Sequence, residues 1–267
     1  MWIAIDMFEI RNLADKLHVP PHDNNLISDI TDGTEYIRVN SRDNRLQYDL
    51  TVILNTDGLS LVKSAKSHCW PLMFMIVELP EYLRESFIVI IGLWNDTNSK
   101  PLMNTFLQPF CQKINECFHN GISWIHLTTK QMYTSKIVAP LIIADAPARA
   151  QIQNILSFNG KFGCNICEIK TKRCRTIAGK KRLRVYSFQE EASKLRSEKR
   201  MKIQAKTAFI KKDYHVKGVK GKSVIFALPF LDLGTCVIPE YMHCILLGIG
   251  KQFFSLWFSK KGTWNIK

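Results

Sequence analysis

The apolar residues of this chain fall first in dense runs of β type and then at helical spacing. Residues 48–56, 70–79 and 87–94 are rich in Val, Ile, Leu and aromatics, and they predict three strands joined by short breaks, as in a meander. Over 101–119, Leu102, Phe106, Leu107, Phe110, Ile114, Cys117 and Phe118 recur three and four apart, the pattern of an amphipathic helix. A fourth strand is expected over 136–144, followed by a helix over 146–156 with Pro147 in its first turn. The order β-β-β-α-β-α predicts an α/β fold with a mixed sheet, because a crossover helix lets the fourth strand lie parallel to the first.

This core spans 46–157. Residues 1–45 read as a lead-in segment without a motif of its own. From 158 the texture changes to a tight knuckle, Asn159-Gly-Lys-Phe-Gly-Cys-Asn-Ile-Cys167, with no regular β pattern after it, a charged helix over 189–209, and loop signals at Gly218 and Gly221. Residues 158–225 are therefore expected to form an insertion. The last part, 226–267, predicts a helix that starts after Pro239 and runs towards Trp257, with an end expected to be truncated.

Charge sharpens this division. Residues 168–222 hold 19 Lys/Arg against 5 Asp/Glu, so the whole net charge of +14 resides there. A localised excess of this size favours a polyanionic partner, foremost nucleic acid, although a solvated linker is the bland alternative. No apolar run approaches the roughly 20 residues of a membrane-spanning helix, so no membrane partner is expected. The acidic N-terminal residues do not fit a signal peptide, and the 8 cysteines are read as reduced thiols of an intracellular chain.

Candidate chemistry lies at the strand ends. Asp57 and Asp145 each close a strongly apolar β-type run. Asp-Gly and Asp-x-Pro are ordinary turn chemistry. If the first and fourth strands are neighbours, however, the two carboxylates meet at one sheet edge, where such a pair binds Mg²⁺ for phosphodiester chemistry. Cys164 and Cys167 have the spacing of half a tetrahedral Zn²⁺ site, for which His215, His243, Cys174 and Cys244 are the remaining ligand candidates. Two metal-free thiols are the alternative. His243 on an apolar helix and Glu240 at that helix's N-terminus also have structural explanations, as a core histidine and as a partner of the helix dipole.

Several segments, taken in order, resemble the CACTA (En/Spm-like) cut-and-paste DNA transposases over about residues 28–258. They are Thr51-Val-Ile-Leu-Asn-Thr-Asp-Gly58, His68-Cys-Trp-Pro71 with Glu78-Leu-Pro80, Ile90-Ile-Gly-Leu-Trp94, Pro101-Leu-Met-Asn-Thr-Phe-Leu-Gln-Pro-Phe110, Ala144-Asp-Ala-Pro-Ala-Arg149, Phe158-Asn-Gly-Lys-Phe-Gly-Cys-Asn-Ile-Cys167, Gly218-Val-Lys-Gly221 and Pro239-Glu-Tyr-Met-His-Cys-Ile-Leu-Leu-Gly248. The resemblance implies an RNase H-like core carrying a basic, zinc-binding insertion. It also implies three acids that bind two Mg²⁺ ions and cut and join DNA in the nucleus, with a homo-oligomer as the active form. Asp57 matches the first acid and Asp145 the second. The family's third acid sits on a helix after the insertion, and no Asp or Glu follows Glu240, so either Glu240 fills that position or the chain stops before the residue it needs. Cys164, Cys167 and His243 match the zinc ligands. Lys172, Arg173, Arg175, Lys180, Lys181, Arg182 and Arg184 are the expected DNA contacts. Residues 1–45 lack the family's DNA-end-binding module, so the alternative is a catalytically incomplete or host-adapted DNA-binding descendant.

Overall fold

A computed structural model describes residues 17, 27–41, 45–60, 68–96, 101–175, 182–188 and 190–258. In chain order its elements are α1 (Thr34–Asn40), β1 (Leu50–Thr56), β2 (Leu59–Ser60), β3 (His68–Ile76), α2 (Glu81–Arg84), β4 (Val89–Asp96), α3 (Met103–Asn120), β5 (Ile122–Ile125), β6 (Met132–Ser135), β7 (Ile137–Ala144), α4 (Ala146–Ile152), β8 (Lys172–Arg175), β9 (Arg182–Val185), α5 (Glu198–Ile210) and β10 (Val237–Pro239). A π-helix (Met242–Gly250) runs directly into α6 (Lys251–Phe258).

The main sheet is mixed, with principal order β4-β3-β1-β7-β10 and the two-residue β2 extending the β1 side of β3. β3 runs antiparallel to both β1 and β4, whereas β7 is parallel to β1 and β10 is parallel to β7. The expected meander and the parallel return of the strand over 136–144 are thus both present. One face of β1 carries Leu50, Val52 and Leu54 into a core with Phe106, Leu107 and Ile114 of α3 and Ile152 of α4; Ile53 points the other way, towards Tyr36 of α1. This period-2 alternation buries both faces, so the pairing register is strongly specified.

Four elements depart from the expectations. The hairpin β5–β6 precedes β7; its four-residue strands are too short to show a period, and it is held by the Trp124 Nε1 bond to Ser135 Oγ at 2.9 Å. A second hairpin, β8–β9, forms within 158–225, where no β pattern was expected. The charged helix begins at Glu198 rather than 189, because the chain before it is held extended by Cys167 pairing with Leu195 and by Arg196 N donating to Ile166 O. Part of the lead-in, α1, is integral to the fold through the buried Tyr36 and Val39. Met201, Ala205, Val219 and Ile225 share the main core, which fuses the insertion to the sheet. The helix after Pro239 is present, but no side chain of residues 242–258 is buried. Among the described residues no helix is long and apolar enough to cross a membrane.

One buried carboxylate joins α1, β1 and the end of β3. Glu78, 3 % exposed, accepts hydrogen bonds from Arg45 Nη2 (2.5 Å), Thr51 N (2.9 Å) and Tyr36 Oη (3.3 Å). Burial pushes its carboxyl upward, opposed by Arg45 and the Thr51 bonds. Removing one member of a buried charged network leaves the other uncompensated, which costs about 3–5 kcal/mol. Glu78→Ala is therefore expected to lower the unfolding free energy by about that amount in denaturant titrations, and a loss within ~1 kcal/mol would contradict the role given to this network.

Candidate functional site

The site is built by three parallel strands that end side by side, each followed at once by an acid. Asp57 follows β1, Asp145 follows β7 and Glu240 follows β10. Asn55 is paired with Ile143, and Pro239 with Ala144, so the three acids stand at one level along the sheet edge. The alignment depends on a bulge. Thr51 pairs with Val138 but Ile53 with Leu141, so β7 carries one extra residue at Ala139–Pro140. Proline cannot donate to the ladder, and strands accommodate it at such irregularities. Were this residue paired in a regular ladder instead of bulged, Ala144 would stand level with Asp57, and Asp145 would be displaced by one position.

Local chemistry fixes each side chain. Asn55 Nδ2 donates to Ile143 O at 3.0 Å and Thr56 Oγ1 to Pro71 O at 2.8 Å, clamping the strand just before Asp57. Asp57 Oδ1 accepts from Gly58 N at 2.7 Å. A Cβ on Gly58 would lie 2.7 Å from the buried Trp70 ring, so glycine is what allows this close approach. Asp145 is the N-cap of α4, accepting from Ala148 N at 2.7 Å. Glu240 N donates to Ala144 O at 3.1 Å, while its carboxylate accepts from Met242 N (2.6 Å), His243 N (2.7 Å) and His243 Nδ1 (2.7 Å). The same Nδ1 lies 4.0 Å from Asp57 Oδ2.

Burial, then the nearby Asp145, pushes the Asp57 carboxyl above its ordinary value; the Gly58 N–H and His243 oppose this, and Glu240 adds to it. Glu240 moves the other way. Burial raises it, but the N–H bonds from His243 and Met242 and the His243 ring outweigh that and hold it low. Neither Asp57 nor Asp145 forms an ion pair with Lys or Arg among the described residues. Arg149, one turn along α4, interacts with Asp145 through space without a close ion pair, and a half-buried carboxylate set of this kind suits a hard divalent ion, which takes one or two protein carboxylates and completes its shell with water and phosphate oxygens. Among the described residues, however, no three His, Cys, Asp or Glu groups converge closely enough to hold one ion by themselves.

The cysteine pair is a separate feature. Cys164 and Cys167 hold their sulfurs 3.6 Å apart, and Cys164 Sγ accepts from the Ile166 and Cys167 amides at 3.4 Å each. Two thiolates about 2.3 Å from one tetrahedral ion would have similar separation. The third ligand expected from the resemblance is not there: the His243 ring is bonded to Glu240 and faces Asp57, because the helix that carries it starts at the acid edge. Burial, followed by the neighbouring Cys164, raises the Cys167 thiol, although an Ile169 backbone hydrogen bond opposes this. Among the described residues, these two thiols supply half a zinc site.

Two arginines brace the knuckle, and one of them, Arg149, links it to the acid edge. Neither was singled out from the sequence, although Arg149 lies four residues beyond Asp145, one helical turn away. Arg149 Nη1 donates to Asn165 Oδ1 (2.8 Å), and Asn165 Nδ2 donates to Val237 O on β10 (3.1 Å). Arg196, 4 % exposed, donates to the carbonyls of Cys164, Phe162 and Lys217. Of the expected DNA contacts, Lys172, Arg173 and Arg175 lie on β8, and Arg182 and Arg184 on β9. Lys180 and Lys181 lie outside the described residues.

Comparison with known proteins finds a match to the family model described as transposase family tnp2 over residues 18–214, well over half of the chain. No curated protein matches it.

Asp57→Asn tests the electrostatics without metal. A carboxyl raised on folding binds more protons in the folded state, so its charged form weakens the fold above the raised value. The variant is expected to melt higher than wild type at pH 7, with the gain disappearing as the pH falls to the ordinary carboxyl value of 3.8. Thermal melts in EDTA across that range measure this, and a lower melting temperature for the variant at pH 7 would contradict the assignment.

Proposed function

We propose, because this chain belongs to transposase family tnp2, that it is the catalytic portion of a DNA transposase, carrying out metal-dependent phosphodiester cleavage and strand transfer. One observation carries the proposal: Asp57, Asp145 and Glu240 end three adjacent parallel strands at one level of the sheet. The strand order β4-β3-β1-β7-β10, an antiparallel meander continued by two parallel strands, supports an RNase H-like core.

Asp57 and Asp145 would hold the Mg²⁺ ions, and Glu240 would serve as the third acid. Bound there, the ions would supply charge neutralisation at the scissile phosphate and activation of water or a DNA 3′-hydroxyl. The chain's own residues prepare that chemistry. Asp145 is immobilised by capping α4. Asp57 carries an elevated proton affinity, caused first by burial and then by Asp145, which a bound cation would reverse. The His243 ring lies between Glu240 and Asp57, so its hydrogen bond to Glu240 has to yield before that carboxylate can take a ligand role.

That same bond favours a second function, a DNA-binding descendant without a complete acidic site. Glu240 already accepts two backbone N–H bonds and one ring bond. Nicking of supercoiled DNA in Mg²⁺ or Mn²⁺ separates the two. Under the transposase proposal Asp57→Ala and Asp145→Ala each reduce nicking by at least about 100-fold, more than changes behind a metal ligand typically cause. Wild type no more active than the variants, with salt-sensitive DNA binding intact, would instead select the binding protein.

A further inference from the structure

We propose that the β8–β9 hairpin is a ribbon that grips double-stranded DNA through a face made of four arginines. This rests on the chain acting on DNA and names the surface that would hold it. The pairing is Arg173 with Arg184 and Arg175 with Arg182, so all four side chains belong to the same face of the ribbon; Lys172, Cys174, Leu183 and Val185 belong to the other. Like charges directly opposite each other destabilise a strand pair. These two pairs stand on a two-stranded sheet separate from the main one, the arrangement least able to absorb repulsion. Among the described residues none of the four is ion-paired; Arg184 makes one bond, Nη1 to Thr171 Oγ1 at 3.2 Å. A locally frustrated face of this sort is relieved by a polyanion.

The geometry favours a duplex. Guanidinium stems two residues apart along a strand are spaced by about 6.8 Å, and those across the pair by about 5 Å. A two-stranded ribbon of this width enters the major groove of B-DNA, about 12 Å wide, where arginine reaches phosphates and guanine edges. Among the described residues, the paired positions of the arginine face include no aromatic side chain on which unpaired bases could stack, and Tyr186, two residues beyond Arg184, is tied down to Phe158 O. The ribbon is also firmly rooted. At its base the buried Thr171 donates to Gly160 O at 3.0 Å, and Tyr186 Oη donates to Phe158 O at 2.5 Å, which fixes the hairpin to the knuckle loop beside Arg149 and the acid edge.

The test measures binding of the full chain to a labelled duplex of ~20 bp, and to the matching single strand, by fluorescence anisotropy across a salt series in EDTA. Cleavage cannot contribute under those conditions, so the outcome is independent of the acids. Replacing Arg173, Arg175, Arg182 and Arg184 together by Gln is expected to flatten the log–log salt slope for duplex by about 3–4 and to weaken binding at least about 100-fold near 0.1 M salt. Lys172→Gln on the opposite face should change the slope by no more than about 1. Because opposed like charges are removed, the Gln variant should melt no lower than wild type; if it does melt lower, the four-Lys version, which keeps the charge, should retain the wild-type slope. An unchanged slope in a folded Gln variant, a lost slope in a folded Lys variant, or a loss confined to the single strand overturns the proposal.

Discussion

The pairing of β7 with two parallel neighbours is the constraint on which the rest of this molecule depends. β1 and β10 are far apart in sequence, and β7 brings their C-terminal ends to one edge with a defined register. Both faces of β1 and β7 are buried, so sliding either strand by one residue would exchange its side chains between two differently packed cores. The extra residue at Ala139–Pro140 is part of that register. It shifts the second half of β7 so that Asp145, rather than Ala144, stands level with Asp57.

Electrostatic consequences follow from the alignment. Two half-buried carboxylates at one edge, without a Lys or Arg in contact, raise the proton affinity of Asp57, first through burial and then through Asp145. Glu240 escapes this because it closes the first turn of its own helix onto itself and takes the His243 ring. The edge is therefore asymmetric. One side is electrostatically strained and open to a cation, and the other is satisfied by protein. Asp57 and Asp145 fall within the family match over residues 18–214, whereas Glu240 and His243 lie beyond it, so the satisfied side of the edge is also the side outside the match.

The insertion is tied to the same edge rather than attached as a separate body. Asn165 bonds to β10, Arg149 reaches from α4 to Asn165, and Arg196 gathers the carbonyls of the knuckle. The close packing of Gly163, where a Cβ would meet Ser157 O at 2.1 Å, keeps the loop compact over the sheet. A ribbon rooted there projects its charge from a fixed point relative to the acids.

The strands over 50–56, 68–76, 89–96 and 137–144 and the helices over 103–120 and 146–152 were legible in the sequence because long runs of one period report burial directly. Asp57 and Asp145 were legible because an acid that ends an apolar run is a local signal. The hairpins were not, since four-residue strands carry too little pattern, and the displaced start of α5 depended on Arg196 and Leu195 finding partners in the knuckle. His243 shows the limit most clearly: the resemblance matched it to the cysteines, but the helix that carries it begins at the acid edge, and its ring is hydrogen-bonded to Glu240, three residues away. The sequence by itself determined the periodic elements, the acids that close strands, the paired thiols and the location of the positive charge. Tertiary structure alone decided which of these groups meet, because strand register and the partners of a side chain are set by packing between segments distant in the chain.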